Sequence, residues 1–196
     1  PVTAQPELIR RALGDPSVGV RINAVRQLVR SERDATACSR LIAVATQDMA
    51  RGPQVLAMDG LAEPCGNADV QVQALLGAAS TLGAETADDW QVPAHALVSL
   101  AHMSPELARR VLPAFVNHDN PFVRGYGARA ADVLGDVDLV GEMATDPSAN
   151  VRTIALQLLG ARDLVSDQML IAQLSDDDPQ VLMTASRMLA GSRLGI

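Results

Sequence analysis

The chain has 196 residues, enough for one ordinary domain or a short repeat array, and 48% of them are apolar. Only 2% are aromatic, so the core must be built from Leu, Val, Ala, Met and Ile, which suits stacked helices better than a β-sandwich. The net charge of −7 opposes a dedicated nucleic-acid binder, and the absence of lysine excludes Schiff-base and P-loop chemistry.

Apolar periodicity and the breaks between apolar stretches predict helices over 6–13, 17–30, 34–48, 53–62, 67–82, 92–103, 105–117, 121–134, 137–144, 148–160, 164–175 and 179–190. The second of these follows Asp15-Pro16, where the carboxylate can cap free amides and proline fits the first turn. It carries Val20-Arg21, Ala24 and Leu28. Cys38 and Cys65 lie 27 residues apart without CxxC spacing. They are expected to pack as small apolar thiols, giving neither a zinc site nor a disulfide framework. The stretch 67–82 repeats the apolar frame as Val70, Ala74 and Ala78, but Gln71 replaces the arginine and pair counting puts it on a first helix.

Residues 83–92 break the period as an insertion. Trp90 there either staples the loop onto the helices or stands out as an aromatic anchor. His95 and His102 share a helix face but lack a third ligand, so no metal is expected, and Ser99 between them has no fixed base. The frame returns as Asp119…Val123-Arg124…Gly127…Ala131 and Asp146…Val151-Arg152…Ala155…Leu159. A last copy, Asp178-Pro179…Val181…Ala185…Leu189, lacks the arginine. Val123, Val151 and Val181 lie 28 and 30 residues apart, a period that marks a stacked repeat. The expectation is an all-α fold, an α-α superhelix of about six antiparallel helix pairs forming a single domain over 1–196.

On a helical wheel Arg21 falls inside the arc of Val20, Ala24 and Leu28, where a charge must be paired. The expected partner is the aspartate six residues earlier or its counterpart in the next repeat. Arg21, Arg124 and Arg152 would then form a structural ladder with Asp15, Asp119 and Asp146. The opposite arc carries Arg26, Arg129, Gln157 and Arg187, accompanied by Asn23, Tyr126, Ile154 and Thr184. The candidate partner-binding residues are therefore Asn23, Arg26, Tyr126, Arg129, Gln157 and Arg187, with Trp90. An arginine stripe on an acidic protein suits an acidic or anionic partner, and the competing reading is plain solvated surface. Gly127 implies close helix contact, whereas Gly125 is placed on the groove side, where it is either merely tolerated or lets a partner approach the backbone beside Tyr126 and Arg129.

The motifs DPSVGVRINAVRQL, DNPFVRGYGARAADVLG, DPSANVRTIALQLLG and DDPQVLMTASRMLAG resemble HEAT repeats. They are most similar to the short bacterial HEAT-like variant first named from phycobilisome (PBS) lyases. The likeness is specific at 15–30 and 119–190 and weak from 50 to 105. It implies a solenoid in which the Asp and Val-Arg pairs hold the stack and the second helices line a concave, partner-binding face.

The function expected is a non-catalytic protein–protein interaction scaffold, not an enzyme, with no cofactor and no nucleic-acid or membrane partner. A bilin-lyase-like subunit holding a tetrapyrrole is the alternative, and DNA-lesion recognition a third reading that acidity and sparse aromatics oppose. No apolar run approaches the ~20 residues needed to span a bilayer. A soluble, cytoplasmic domain excised from a longer product is expected from a start at Pro1 without a signal-like segment.

Overall fold

A computed structural model of the chain describes residues 6–30, 34–83 and 89–191. The described residues contain twelve helices and no strand. They are α1 (Pro6–Leu13), α2 (Val18–Arg30), α3 (Ala35–Gln47), α4 (Arg51–Gly60), α5 (Ala68–Ala79) and α6 (Gln91–Met103). There follow α7 (Pro105–Val116), α8 (Pro121–Val133), α9 (Val137–Met143), α10 (Ala149–Ala161), α11 (Asp167–Gln173) and α12 (Pro179–Ala190). Every end lies within three residues of its predicted place. The all-α, HEAT-like arrangement of about six antiparallel pairs is therefore the fold.

The chain divides into two compact units, Pro1–Val111 and Leu112–Ile196, with the boundary inside α7. In the first, α1 packs on α2, α3 on α4 and α5 on α6, while the second helices stack in order, α2 on α4 and α4 on α6. In the second, α9 packs against α8 and α10, α11 packs against α12, and α8, α10 and α12 stack in order.

One local device starts α2, α4, α8, α10 and α12. A side-chain acceptor three residues before the helix takes the N–H two residues on, folding the chain into the first turn. Asp15 holds Ser17 (2.8 Å), Asp48 holds Ala50 (2.8 Å), Asp146 holds Ser148 (2.7 Å) and Asp176 holds Asp178 (2.9 Å). In α8 the place of the aspartate is taken by His118, whose Nδ1 accepts from Asn120 at 3.0 Å. Two expected frame residues are thus corrected: His118 replaces Asp119, which is exposed, and Asp176 replaces Asp178, which caps α12.

Counted from these residues, the packing positions fall into register. Nine residues on stand Ala24, Ala57, Gly127, Ala155 and Ala185, and thirteen on stand Leu28, Leu61, Ala131, Leu159 and Leu189, all buried. Small residues let neighbouring helices approach, and the leucines fill the layer between them. A Cβ on Gly127 would lie 2.8 Å from Val116 Cγ1 and 3.2 Å from the Val116 backbone nitrogen, so α7 and α8 touch there as expected. Gly125 differs from its expectation. It is buried, and a Cβ would meet Ile154 of α10 at 2.8 Å, so it serves the α8–α10 stack and not an open groove.

Val123, Val151 and Val181 are fully buried, yet Val20 is 39% exposed. Among the described residues only α1 precedes α2, so no earlier second helix covers that valine. Asp48, Pro53, Ala57 and Leu61 form a copy of the frame in α4 that the sequence hides, because proline and Gln54 stand where Val-Arg was sought.

The cysteines correct another expectation. Cys38 of α3 and Cys65 in the loop after α4 form a disulfide with a Cα separation of 5.4 Å, in place of two free thiols. Gly66 follows at φ +55°, and a Cβ there would fall 2.7 Å from the Ala35 Cα, so loop and helix meet backbone to backbone. Gln71 of α5 is fully buried and secures the same loop. Its Nε2 donates to the carbonyls of Leu61 (2.6 Å) and Glu63 (2.7 Å), and its Oε1 accepts from the Cys65 N–H (3.1 Å). The residue read as a gap in the ladder is a loop anchor.

Candidate functional site

The repeated arginines are bound on both sides. Arg124 gives Nε and one terminal nitrogen to the Asp146 carboxylate, at 2.7 and 2.8 Å, and the other to the carbonyls of His118 and Asp119. Arg152 grips Asp176 at 2.7 Å twice and the carbonyls of Asp146 and Pro147. Arg21 does the same with Asp48, at 2.8 and 2.9 Å, and the carbonyls of Asp15 and Pro16.

Each rung therefore runs forward, from one repeat to the aspartate that opens the next. The alternative partner, the carboxylate of the nearby preceding aspartate, is not used; the residue six earlier (Asp15, His118 or Asp146) lends its backbone carbonyl while its side chain holds the turn. A planar guanidinium is the one side chain that can satisfy this fork and both carbonyls together.

The electrostatics follow from that geometry. Burial acts to raise the pKa of Asp146, but the Arg124 hydrogen bonds and the Ser148 N–H outweigh it, leaving the carboxyl below its ordinary value. Asp48 is lowered on the same balance through Arg21 and Ala50. For Asp176 the Arg152 hydrogen bond is the leading cause of the lowering. The three arginines are raised, chiefly by the same bonds.

The candidate recognition stripe occupies the position eleven residues after each opening residue. Arg26, Arg129, Gln157 and Arg187 are all exposed there. The second helix of the series, α4, puts Asp59 at that position, and Asp59 shares a 2.6 Å hydrogen bond with His95 Nδ1 of α6. In the first unit the stripe therefore changes sign between α2 and α4. In the second it does not: α8, α10 and α12 present Arg129, Gln157 and Arg187, and the Arg129 guanidinium lies 5.7 Å from the Tyr126 ring centroid.

Of the accompanying residues, Asn23 is exposed and accepts from Arg26 at 3.2 Å. Thr184 is buried and donates to the Gln180 carbonyl. Trp90 is half-buried at the start of α6. Ser99 is buried and bonded to the Met58 carbonyl at 2.8 Å. Among the described residues no group of three or more His, Cys, Asp or Glu side chains could hold a metal, and no helix is long and apolar enough to cross a membrane.

A cavity of about 430 Å³ opens within the first unit among α3, α4, α5 and the start of α6. Its floor is apolar, with Ala45, Met58, Ala78 and Pro93, and Gln54 and Gln73 add amides. Arg51 and Asp89, which form an ion pair, are its charged lining residues.

No family model matches the sequence, and no curated protein matches it as a relative. Solved structures do share the fold. The crystal structure of Escherichia coli YibA superposes with a TM-score of 0.68 at 20% identity, covering 95% of this chain and 70% of that one. The complex of CpcE and CpcF of phycocyanin lyase from Nostoc sp. PCC7120 gives 0.60 at 18% identity, covering 93% and 74%. An engineered protein gives 0.50 at 20% identity, covering 98% and 100%. At such identities the likeness concerns the arrangement of helices alone.

Proposed function

We propose that this chain is a non-catalytic binding scaffold of the short HEAT-like type, and that α8, α10 and α12 of its second unit hold an acidic protein segment. The observation that carries this reading is the division of labour among arginines on the same helices. Arg124 and Arg152 are consumed in the stack, while Arg129 and Arg187 stand exposed at one frame position with Gln157 between them. Packing does not require a cation at that position. The Tyr126 ring beside Arg129 adds an aromatic surface of the kind that anchors interfaces. Rung spacing of 28 and 30 residues, from His118 to Asp146 to Asp176, supports the short repeat variant.

The test is fluorescence anisotropy with a labelled glutamate-rich peptide and a charge-neutral glutamine-rich control, titrated over a salt series. Wild type should bind the acidic peptide preferentially, with affinity falling as salt rises. Arg129→Gln combined with Arg187→Gln should weaken it about ten-fold or more without changing the melting temperature, since neither side chain is packed. Equal binding by the double variant would refute the reading.

A further inference from the structure

One aspartate of the ladder lacks its rung. Asp48, Asp146 and Asp176 each open a second helix, and each takes an arginine fork from the second helix before it. The turn they hold does not itself require a carboxylate. At position 118, where no guanidinium bonds the side chain among the described residues, a histidine holds it. Asp15 keeps the carboxylate without the fork. Its Oδ1 accepts from the Ser17 N–H, and its Oδ2 has no hydrogen-bond partner among the described residues.

The side chains around Asp15 are bare at frame positions that are covered in later repeats. Five residues after the opening residue, Val20 is 39% exposed, whereas Pro53, Val123, Val151 and Val181 are buried. Seven residues before it, Leu8 is 58% exposed, whereas Leu41 is buried and Leu139 and Met169 are half-buried. Gly19 stands four residues after it. At that place in α4, a Cβ on Gly52 would lie 3.1 Å from Ile22 Cδ1 of α2. A Cβ on Gly19 would meet only the Ser17 Oγ of its own turn, at 3.8 Å. Glycine weakens a helix, and here no described residue uses the close approach that it allows.

We propose that this face of α1 and α2 docks a helical segment of another protein, carrying an arginine with aliphatic residues one and eight places after it. The contact between α2 and α4 defines that chemistry. There the donor side is Arg21, gripping Asp48, with Ile22 against Gly52 and Val29 against Gly60, where a Cβ would lie 2.6 Å from Val29 Cγ2. An incoming helix of the same pattern brings a guanidinium to Asp15, an aliphatic side chain to Gly19 and cover to Val20. The planar fork of arginine matches the carboxylate in two bonds, which lysine cannot do. A second copy of this chain does not supply such a helix. Its α2 donor side is already covered by α4, and its α12 carries Leu182 where the arginine would stand.

The experiment uses the full chain and a labelled peptide with the sequence of residues 17–30, which carries the donor pattern. A hydrocarbon staple in place of Asn23 and Gln27, opposite the donor side, holds the helix that so short a peptide forms poorly alone. Fluorescence anisotropy should show saturable binding that weakens as salt rises. Replacing the peptide's Arg21 by Gln should weaken binding about ten-fold or more, because the charge-assisted fork is lost. Replacing its Arg26 by Gln should leave binding unchanged, which separates the fork from general attraction to an acidic chain. On the protein, Asp15→Asn keeps an oxygen for the Ser17 N–H and should also lose about ten-fold or more. Gly19→Leu fills the docking space, improves helix propensity and should abolish binding in a folded protein. Arg129→Gln with Arg187→Gln should bind as wild type does, so this face and the acidic-segment stripe stand or fall separately.

The proposal is overturned if about 1 mM peptide, the weak-binding range, gives no saturable signal. Equal binding of the Arg21→Gln and Arg26→Gln peptides, or unchanged binding by Asp15→Asn or by folded Gly19→Leu, overturns it as well. So does a wild-type dimer in sedimentation that Gly19→Leu abolishes, since the face would then belong to a second copy.

Discussion

Arg124→Ala is the sharpest probe of what holds the second unit together. The substitution deletes two bonds to the Asp146 carboxylate, at 2.7 and 2.8 Å, and one each to the carbonyls of His118 (2.8 Å) and Asp119 (2.9 Å). It leaves a carboxylate only 9% exposed, with the Ser148 N–H still bonded to it. Breaking a fully buried pair by removing one member costs about 3–5 kcal/mol, whereas an exposed pair contributes ~0–1 kcal/mol. Arg124 is 14% exposed, so the site lies near the buried limit but is not sealed, and the expected loss is about 2–3 kcal/mol. For a chain of this size that corresponds to a fall in melting temperature of about 5–10 °C.

Calorimetry on Arg124→Ala, Asp146→Asn and the double variant should show a coupling of about 1 kcal/mol or more between the two sites. The pH arm has a definite sign. Asp146 is held below its ordinary pKa, so its contribution is complete above the unfolded value of about 3.9 and disappears as pH falls through the folded value. The stability difference between wild type and Arg124→Ala should therefore shrink on acidification below pH ~4. Melting of Arg124→Ala within about 1 °C of wild type, or strictly additive effects in the cycle, would refute the rung as a stabilising element.

Three further outcomes follow from the packing. Gln71→Leu should destabilise by about 2–3 kcal/mol in urea denaturation, because it removes the amide partner of the buried Leu61 carbonyl and Cys65 N–H and of the half-buried Glu63 carbonyl; an unchanged midpoint would remove the loop-anchor role. Oxidised protein should show no titratable thiol, and reduction or Cys38→Ser should cost about 3–4 kcal/mol from opening a 27-residue separation; unaltered melting under reductant would contradict this. Gly127→Ala should destabilise by about 1–3 kcal/mol despite alanine's better helix propensity, since the new methyl meets the Val116 backbone; a higher melting temperature would mean that α7 can yield.

The sequence alone was enough to identify the helices and their repetition, because both are written in local signals. Asp and Asn before the first turn, apolar residues at helical spacing and a recurring Val-Arg pair need no knowledge of distant contacts. Even the burial of the frame alanines and leucines follows from the wheel. Position 48 could not be read in this way. Asp48 opens a repeat whose fifth and sixth following residues are Pro53 and Gln54, and only superposing turns in space shows its equivalence to Asp15, Asp146 and Asp176. The same applies to His118, a chemically different acceptor that performs the same turn.

Partner choice was the other thing that only the tertiary structure decided. Arg21, Arg124 and Arg152 each had an aspartate near in sequence and another a repeat away, and spacing cannot rank them. In the folded chain Asp15 and Asp146 turn their carboxylates onto their own backbone and Asp119 stands exposed, while each guanidinium reaches the aspartate of the next repeat, 22 to 27 residues on. Cys38 and Cys65, or Gln71 and the loop it anchors, are likewise brought together by how α3, α4 and α5 pack. Such contacts join residues whose separation carries no periodic signal, because they depend on loop paths and helix spacing and not on which residues share a face.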